Sequence, residues 1–172
     1  MRSRRGFSLI ELMITIAIAA ILITLAAPSF KILLANAQIR TGAQALSDGL
    51  SLARVEAIRR NERVIFTMGT ETAWTVSIES DSSIVQTRPY EEGSKAATVT
   101  VTPSAATKVT FNGLGRVVGN TDASTSITQI DVDVPTTLIS ATDSKNLRIT
   151  ITSGGAVRLC DPNTAIGVGM GC

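Results

Sequence analysis

The stretch that decides the fold is FSLIELMITIAIAAILITLAA, which runs from Phe7 to Ala27. It is apolar except for two threonines, Ser8 and Glu11. At about 1.5 Å per residue, a helix of this length crosses a bilayer core of roughly 30 Å. Arginines and no acidic residue precede it, which should keep that end of the chain in the cytoplasm. We therefore expect one membrane-spanning helix, with the rest of the chain outside the inner membrane.

Glu11 is the residue that ordinary targeting segments do not explain. A secretory signal peptide, a twin-arginine signal and a plain signal anchor would each account for the basic start and the apolar run. A carboxylate inside a membrane helix is costly unless it is protonated, paired or facing a partner. The helical pattern also continues past Pro28, so that cleavage there would cut a continuous helix. We interpret Glu11 as a functional residue.

A second helical segment follows Pro28 and extends to about Asn61. Its apolar residues recur at spacings of three and four and form one stripe, which we expect to pack on a folded domain. The stripe consists of Ile39, Ala43, Leu46, Leu50, Ala53 and Ala57. A basic cluster near the helix end is either a solvated, dipole-stabilised terminus or a surface for an anionic partner. Its members are Arg54, Arg59, Arg60 and Arg63.

From Val64 onward the period changes to two and β-branched residues dominate, which is typical of antiparallel strands. The predicted strands are Val64–Met68, Ala73–Glu79, Thr98–Thr102, Lys108–Phe111, Ile127–Val134, Leu147–Thr152 and Ala156–Leu159. The Ser/Thr-rich stretches Ser80–Thr87 and Gly119–Ser126 are expected to be loops. Gly154-Gly155 predicts a two-residue hairpin turn between the last two strands.

The composition argues against catalysis. The chain has 172 residues, a net charge of +2 and no histidine, so the commonest acid–base group and metal ligand is missing. The sequence contains no phosphate-binding loop, dinucleotide fingerprint or nucleophile elbow. Asp131 and Asp133 lie two apart and make only a weak metal site without further acidic ligands. We expect no enzyme activity, no cofactor and no metal.

The two cysteines, Cys160 and Cys172, lie close to the C-terminus. Their spacing fits neither a CxxC redox site nor a four-ligand zinc site. In an exported protein such a pair is more simply a disulfide. Closing a loop of about a dozen residues would stabilise the domain by roughly 3 kcal/mol.

The segment from Gly6 to Leu12, GFSLIEL, resembles the processing site of type IV prepilins and type II secretion pseudopilins. The resemblance implies that a prepilin peptidase cleaves after Gly6 and that Phe7 is N-methylated. It also implies that Glu11 meets the N-terminal amine of a neighbouring subunit in a filament. Pro28 stands where the family places a helix-kinking proline.

The remainder resembles the GspH/FimT group of minor pilins and pseudopilins. The residues that carry this resemblance are Leu46–Arg60, Val109–Gly115, Leu147–Ile149 and Gly155–Cys160. The resemblance implies one of three roles. The chain is a structural minor pilin that helps assemble a type IV pilus near its tip, a GspH-like pseudopilin of type II secretion, or a minor pilin that binds double-stranded DNA for uptake. The cysteine pair favours the type IV pilus.

For the DNA-binding branch the family pattern is Gly-Arg-x-Arg, and here Ala156 replaces the first arginine. Strand alternation places Arg158 on the outer face, where it could contact a phosphate. Arg148 and Lys145 on a neighbouring segment could assist it. So few cations would give only a modest, salt-dependent affinity.

These observations together predict an α+β fold in which a long N-terminal helix packs on an antiparallel β head. The expected parts are a leader (1–6), a transmembrane or filament-core helix (7–28), its amphipathic continuation (29–62) and the head (63–172). The expected partners are other pilins or pseudopilins, prepilin peptidase and the inner membrane. We expect the protein in the inner membrane with its head in the periplasm, and later in a pilus or pseudopilus.

Overall fold

A computed structural model describes residues 8–172 of the chain. One α-helix, α1, runs from Leu9 to Arg60 and passes through Pro28 without ending. It ends at Asn61, which adopts a left-handed conformation with φ of 53°. The Asn61 and Glu62 amides then donate to the carbonyls of Ile58 and Ala57, at 3.3 and 3.2 Å. These two bonds satisfy carbonyls that would otherwise be left free at a helix end.

Within residues 8–172, nine strands follow the helix. They are β1 (Val64–Met68), β2 (Trp74–Ile78), β3 (Ile84–Arg88), β4 (Thr98–Thr102), β5 (Lys108–Phe111), β6 (Val117–Val118), β7 (Gln129–Asp133), β8 (Leu147–Ile151) and β9 (Val157–Cys160). All their pairings are antiparallel. The predicted α+β architecture is confirmed.

The strands form two sheets rather than one. The first sheet has the order β3-β2-β1-β5-β6, and the second has the order β4-β7-β8-β9. The upper half of α1 contacts strands of both sheets, so that one helix organises a shared core. Each sheet contributes fully buried side chains to that core, among them Phe66 and Val76 from the first and Ile130 and Ile149 from the second.

The apolar stripe of α1 lies in this core as the periodicity predicts. Its six residues, Ile39, Ala43, Leu46, Leu50, Ala53 and Ala57, are each 0% exposed. Gly49 lies on the same face and lets the helix backbone approach the first sheet closely. A Cβ atom at Gly49 would lie 2.7 Å from the Trp74 ring and 2.9 Å from the Phe66 ring. Such contacts are too short for any side chain without repacking.

Three details of the predicted β domain are wrong. The stretch 80–87, expected to be a loop, contains most of β3, whose side chains are largely exposed and polar. The two-residue strand β6 was not predicted. The hairpin between β8 and β9 has three loop residues, since the Thr152 amide donates to the Ala156 carbonyl at 3.0 Å. A two-residue turn of type I′ needs positive φ at both positions, and here only the second glycine, Gly155, has it (φ of 80°).

Candidate functional site

The lower half of α1, Leu9–Leu34, is the most exposed apolar surface of the described chain. Every side chain from Ser8 to Leu34 is at least partly exposed. By length and composition α1 can cross a membrane. Its large apolar residues are exposed on all sides, with exposed fractions from 46% at Leu34 to 76% at Leu9. A helix that is hydrophobic all round must be buried in something, here a bilayer or a bundle of other helices.

Glu11 lies in the first turn of this half. The Ser8 backbone N–H donates to Glu11 Oε2 at 2.9 Å, and the Leu12 N–H donates to the Ser8 carbonyl at 3.2 Å. The glutamate therefore satisfies one of the free amides at the helix N-terminus. Its side chain stays exposed and can accept a further donor. Gly6 and Phe7, the predicted processing residues, lie outside the described residues.

Pro28 sits inside α1, at the end of the predicted transmembrane or filament-core segment (7–28). Proline has no N–H, so the Thr24 carbonyl loses its helical partner. The nearby Thr24 hydroxyl donates to the Ile21 carbonyl at 2.8 Å. The kink expected at Pro28 stays a prediction.

The C-terminal end of α1, the loop after β5 and the hairpin between β8 and β9 meet in the head. They belong to the segments on which the resemblance to the GspH/FimT group rests. Arg54 Nε donates to the Gly115 carbonyl at 3.1 Å. A Cβ atom at Gly155 would lie only 1.8 Å from that same carbonyl oxygen. The Val117 amide also donates to the Ser153 carbonyl at 3.1 Å, which links the two sheets. These contacts pack three elements closely together: the end of α1, the β5–β6 loop and the β8–β9 hairpin.

The basic cluster at the helix end is largely paired. Glu56 bonds Arg59 at 2.6 Å and Arg60 at 2.8 Å, and Arg63 lies 2.8 Å from a Glu79 oxygen. The hydrogen bond from Arg59 and then that from Arg60 lower the pKa of Glu56 to about 2. This pairing favours the interpretation of a stabilised helix terminus over that of four free cations.

The three predicted DNA-contacting residues occupy different environments. Arg158 is exposed on β9, and its Nη2 donates to the Gly171 carbonyl at 2.8 Å. Arg148 is half-buried, with Nε 2.6 Å from Asp131 Oδ1. Lys145 is exposed, and its backbone N–H donates to Asn36 at 2.7 Å. Their role in DNA binding stays a prediction.

The C-terminal segment folds back beside β9. Cys160 and Cys172 form the predicted disulfide. The Asp161 amide donates to the Met170 carbonyl at 2.8 Å, so the segment continues the edge of the second sheet. In the part of the chain that the structure describes, no group of three or more potential metal ligands occurs.

Sequence reasoning missed two long-range contacts that fix the head on its helix. One is the bond between Arg54 and Gly115. The other is made by Asn36, whose amide donates to the Asp143 carbonyl at 2.9 Å and accepts from the Lys145 amide at 2.7 Å. A polar residue close to an apolar stripe is the only signal that Asn36 gives, and it does not identify the partner.

The fold resembles that of a known pilin. A crystal structure of the type IV minor pilin FimU of Pseudomonas aeruginosa (strain PAO1) aligns with a TM-score of 0.53 at 14% identity, over 75% of this chain and 92% of that one. A second crystal form of FimU gives a TM-score of 0.48 at 14% identity, over 74% of this chain and 97% of that one. No curated protein sequence matches the chain.

Two family descriptions match the sequence. The prokaryotic N-terminal methylation motif matches residues 1–27, which include Gly6, Phe7 and Glu11. The family described as type II transport protein GspH matches residues 42–155, two thirds of the chain. This family is one of structural pilins, not of enzymes. The chain belongs to the GspH family and is a type IV pilin-like protein with an N-terminal methylation motif.

Proposed function

We propose that this protein is a structural minor pilin, incorporated in small numbers into a type IV pilus near its tip, where it helps assembly. The observation that carries the proposal is the lower half of α1. An apolar surface of this size is unstable in water and fits either a bilayer or the helical core of a filament. Before assembly the protein is anchored in the inner membrane, with its N-terminus in the cytoplasm and its head in the periplasm.

Glu11 provides the specific assembly contact. Prepilin peptidase cleaves after Gly6, and Phe7, once methylated, becomes the new N-terminal residue. The N-terminal amine of a neighbouring subunit then pairs with Glu11 inside the apolar core. A carboxylate in such surroundings is stable only with a cation beside it, so this pairing also fixes the register of one helix against the next.

A type IV pilus is better supported than a secretion pseudopilus. The fold is like that of FimU, a type IV minor pilin, and the cysteine pair, which favours a type IV pilus, forms a disulfide. A tip position follows from a role in starting assembly, because later subunits enter from the membrane below. A DNA-capturing role has less support, since Arg148 is paired with Asp131 and Arg158 already donates to Gly171.

The test is filament incorporation of Glu11→Ala in cells. We expect this variant to be nearly absent from sheared pili, because the neighbouring amine loses its partner, while membrane extracts contain normal amounts of the folded protein. Thr15→Ala, one helical turn away, is the matched control and should be incorporated normally. Normal incorporation of Glu11→Ala would contradict the proposed pairing of Glu11 with the N-terminal amine of a neighbouring subunit.

Deletion of the gene distinguishes a role in a type IV pilus from a role in type II secretion. A type IV pilus subunit should, when lost, reduce pili and leave exoprotein release intact. The opposite result, blocked release with intact pili, would make the chain a GspH-like pseudopilin. Immunogold labelling of the head on intact pili tests the tip position, and label along the whole filament would contradict it.

A further inference from the structure

We propose that Val55, Ile58 and Leu114 form an apolar knob that binds the helix of a neighbouring, different pilin-type subunit, at the segment where that helix leaves the filament core. This inference rests on the proposed function, because it needs a filament. It adds the second surface that a filament subunit requires and predicts that the chain does not polymerise with itself.

The knob is an exposed cluster of large apolar side chains. Val55 is 57% exposed, Ile58 49% and Leu114 76%. Val55 and Ile58 are three apart on α1 and so lie on one face of the helix. The loop that carries Leu114 packs on the helix beside Ile58, because a Cβ atom at the next residue, Gly115, would lie 2.7 Å from Ile58 Cδ1. Clustered exposed apolar residues of this kind mark interaction sites.

The loop that presents Leu114 is held rigidly. The glycines on both sides of Leu114 pack directly on the helix end, since a Cβ atom at Gly113 would lie 2.5 Å from Asn61. Asn112 Oδ1 accepts hydrogen bonds from the amides of Leu114 and Arg116, at 3.1 and 3.0 Å. With the loop fixed in this way, the leucine points to solvent at little entropic cost to binding.

The geometry of the chain points to a helix as the occupant. A subunit that polymerises head to tail needs two different complementary surfaces. The lower half of α1 is one, and the knob lies at the opposite end of the same helix. From Ile58 down to Ile32 the helix rises by about 39 Å. A head surface reaches a neighbouring helix only above the core, so the expected contact is the segment that corresponds to 28–36 here.

The charges around the knob argue against a second copy as the occupant. Four arginines lie close to it in sequence, Arg54, Arg59, Arg60 and Arg116, and Glu56 is paired with two of them. Between residues 12 and 39 the only charged residue is Lys31, which lies in the segment 28–36 that would contact these arginines in a second copy. Contact between like charges is unfavourable, so the arginines select a partner subunit whose corresponding segment is neutral or acidic.

The test is site-specific photo-crosslinking of the full chain in cells that assemble filaments. A photo-reactive amino acid at position 114 should give adducts with another pilin-type subunit, and mass spectrometry should map them to its helix just above the core. The matched control is position 84, since Ile84 is 68% exposed on β3, away from the knob. Adducts with heads or lipid only, or no more adduct than at position 84, would overturn the inference.

Two variants test the chemistry of the contact. Leu114→Ser should lower incorporation into filaments by at least about tenfold, as for a contact at the centre of an interface. Leu114→Met should retain incorporation, and so should Leu138→Ser, an exposed leucine elsewhere on the head. Lys31→Glu should raise crosslinks between copies of this chain about fivefold, and Lys31→Arg should not.

These outcomes separate the inference from the function on which it rests. If the wild-type chain is present in sheared filaments but position 114 gives no adduct with a helix, the proposed binding of the knob to a neighbouring helix is wrong. The proposed minor pilin role is then unaffected. If the wild-type chain is absent from filaments, both are overturned. If Lys31→Glu leaves homotypic adducts unchanged, the exclusion of a second copy by charge is wrong.

Discussion

The two halves of α1 differ in where their apolar side chains are buried. In the upper half, Ala35–Arg60, one apolar stripe is fully buried in the head, while Val55 and Ile58 on another face stay exposed. In the lower half, Leu9–Leu34, apolar residues cover the whole circumference and no side chain is buried. A continuous backbone thus serves two cores, one inside the chain and one that other molecules must supply.

This difference shows that the periodicity of a helix reports how many of its sides are covered. A stripe predicts one covered side, which in this chain is the head. An apolar circumference predicts burial on every side, which a 172-residue chain with this head does not provide. Mutations in the buried stripe of the upper half should therefore change folding of the head, and mutations in the lower half should change assembly.

The largest expected difference is between Leu46→Ala and Leu22→Ala. Leu46 is 0% exposed, so its truncation should lower the free energy of unfolding of the head by roughly 3–5 kcal/mol. Leu22 is 61% exposed, and its truncation should leave the head unchanged within about 0.5 kcal/mol. The measurement is denaturant unfolding of the full chain in detergent micelles, followed through the buried single tryptophan, Trp74. Equal effects of the two substitutions would remove the distinction between the halves.

Loss of the disulfide should have a somewhat smaller effect, confined to the head. The bond closes a loop with a sequence separation of 12, so replacing both Cys160 and Cys172 by serine should cost about 3 kcal/mol or less. Unfolding by the same fluorescence signal measures this, and circular dichroism in micelles reports on the helix. A parallel loss of helicity in the lower half would show that the two halves are coupled.

The smallest expected effect concerns the ion pairs that Glu56 makes with Arg59 and Arg60 at the end of the upper half. Glu56→Gln removes the ion pairs to Arg59 and Arg60 and should cost about 0.5 kcal/mol at pH 7. The folded-state pKa of Glu56 lies at about 2, below its usual value of 4.5, because Arg59 and Arg60 bond to its carboxylate. The contribution is therefore present above about pH 4.5 and is lost as the pH falls toward 2.

The pH dependence of this stability difference tests the contribution of the Glu56 ion pairs. The difference in denaturant midpoint between wild type and Glu56→Gln should shrink between pH 4.5 and pH 2. Arg116→Gln, another exposed charge near the helix end, is the control and should show no such dependence. A difference that stays constant over this range would exclude titration of Glu56 as its source.

The sequence predicts the helix and most strands well because their signals are local. The stripe from Ile39 to Ala57 and the alternation in β7 both arise from one buried face. The strand β3 lacks this signal: it is an edge strand with mostly exposed polar side chains, so its pattern resembles a loop. The short β6 is defined only by its pairing with β5.

The environment of the candidate site residues depends on strand register, which the sequence does not reveal. Arg148 lies opposite Asp131 because β7 and β8 pair in one particular register. Arg158 reaches Gly171 only because the C-terminal segment folds back along β9. Glu11, in contrast, could be recognised from sequence, because a carboxylate in an apolar helix is unusual wherever the helix goes.

The two hydrogen bonds of Asn36 have a mechanical consequence. They tie the segment between β7 and β8 to α1 at the level where the helix enters the head. When a filament is pulled, tension enters each head through its helix from below, and this amide is among the first attachments to carry it. Because both bonds belong to one short side chain, they are loaded together.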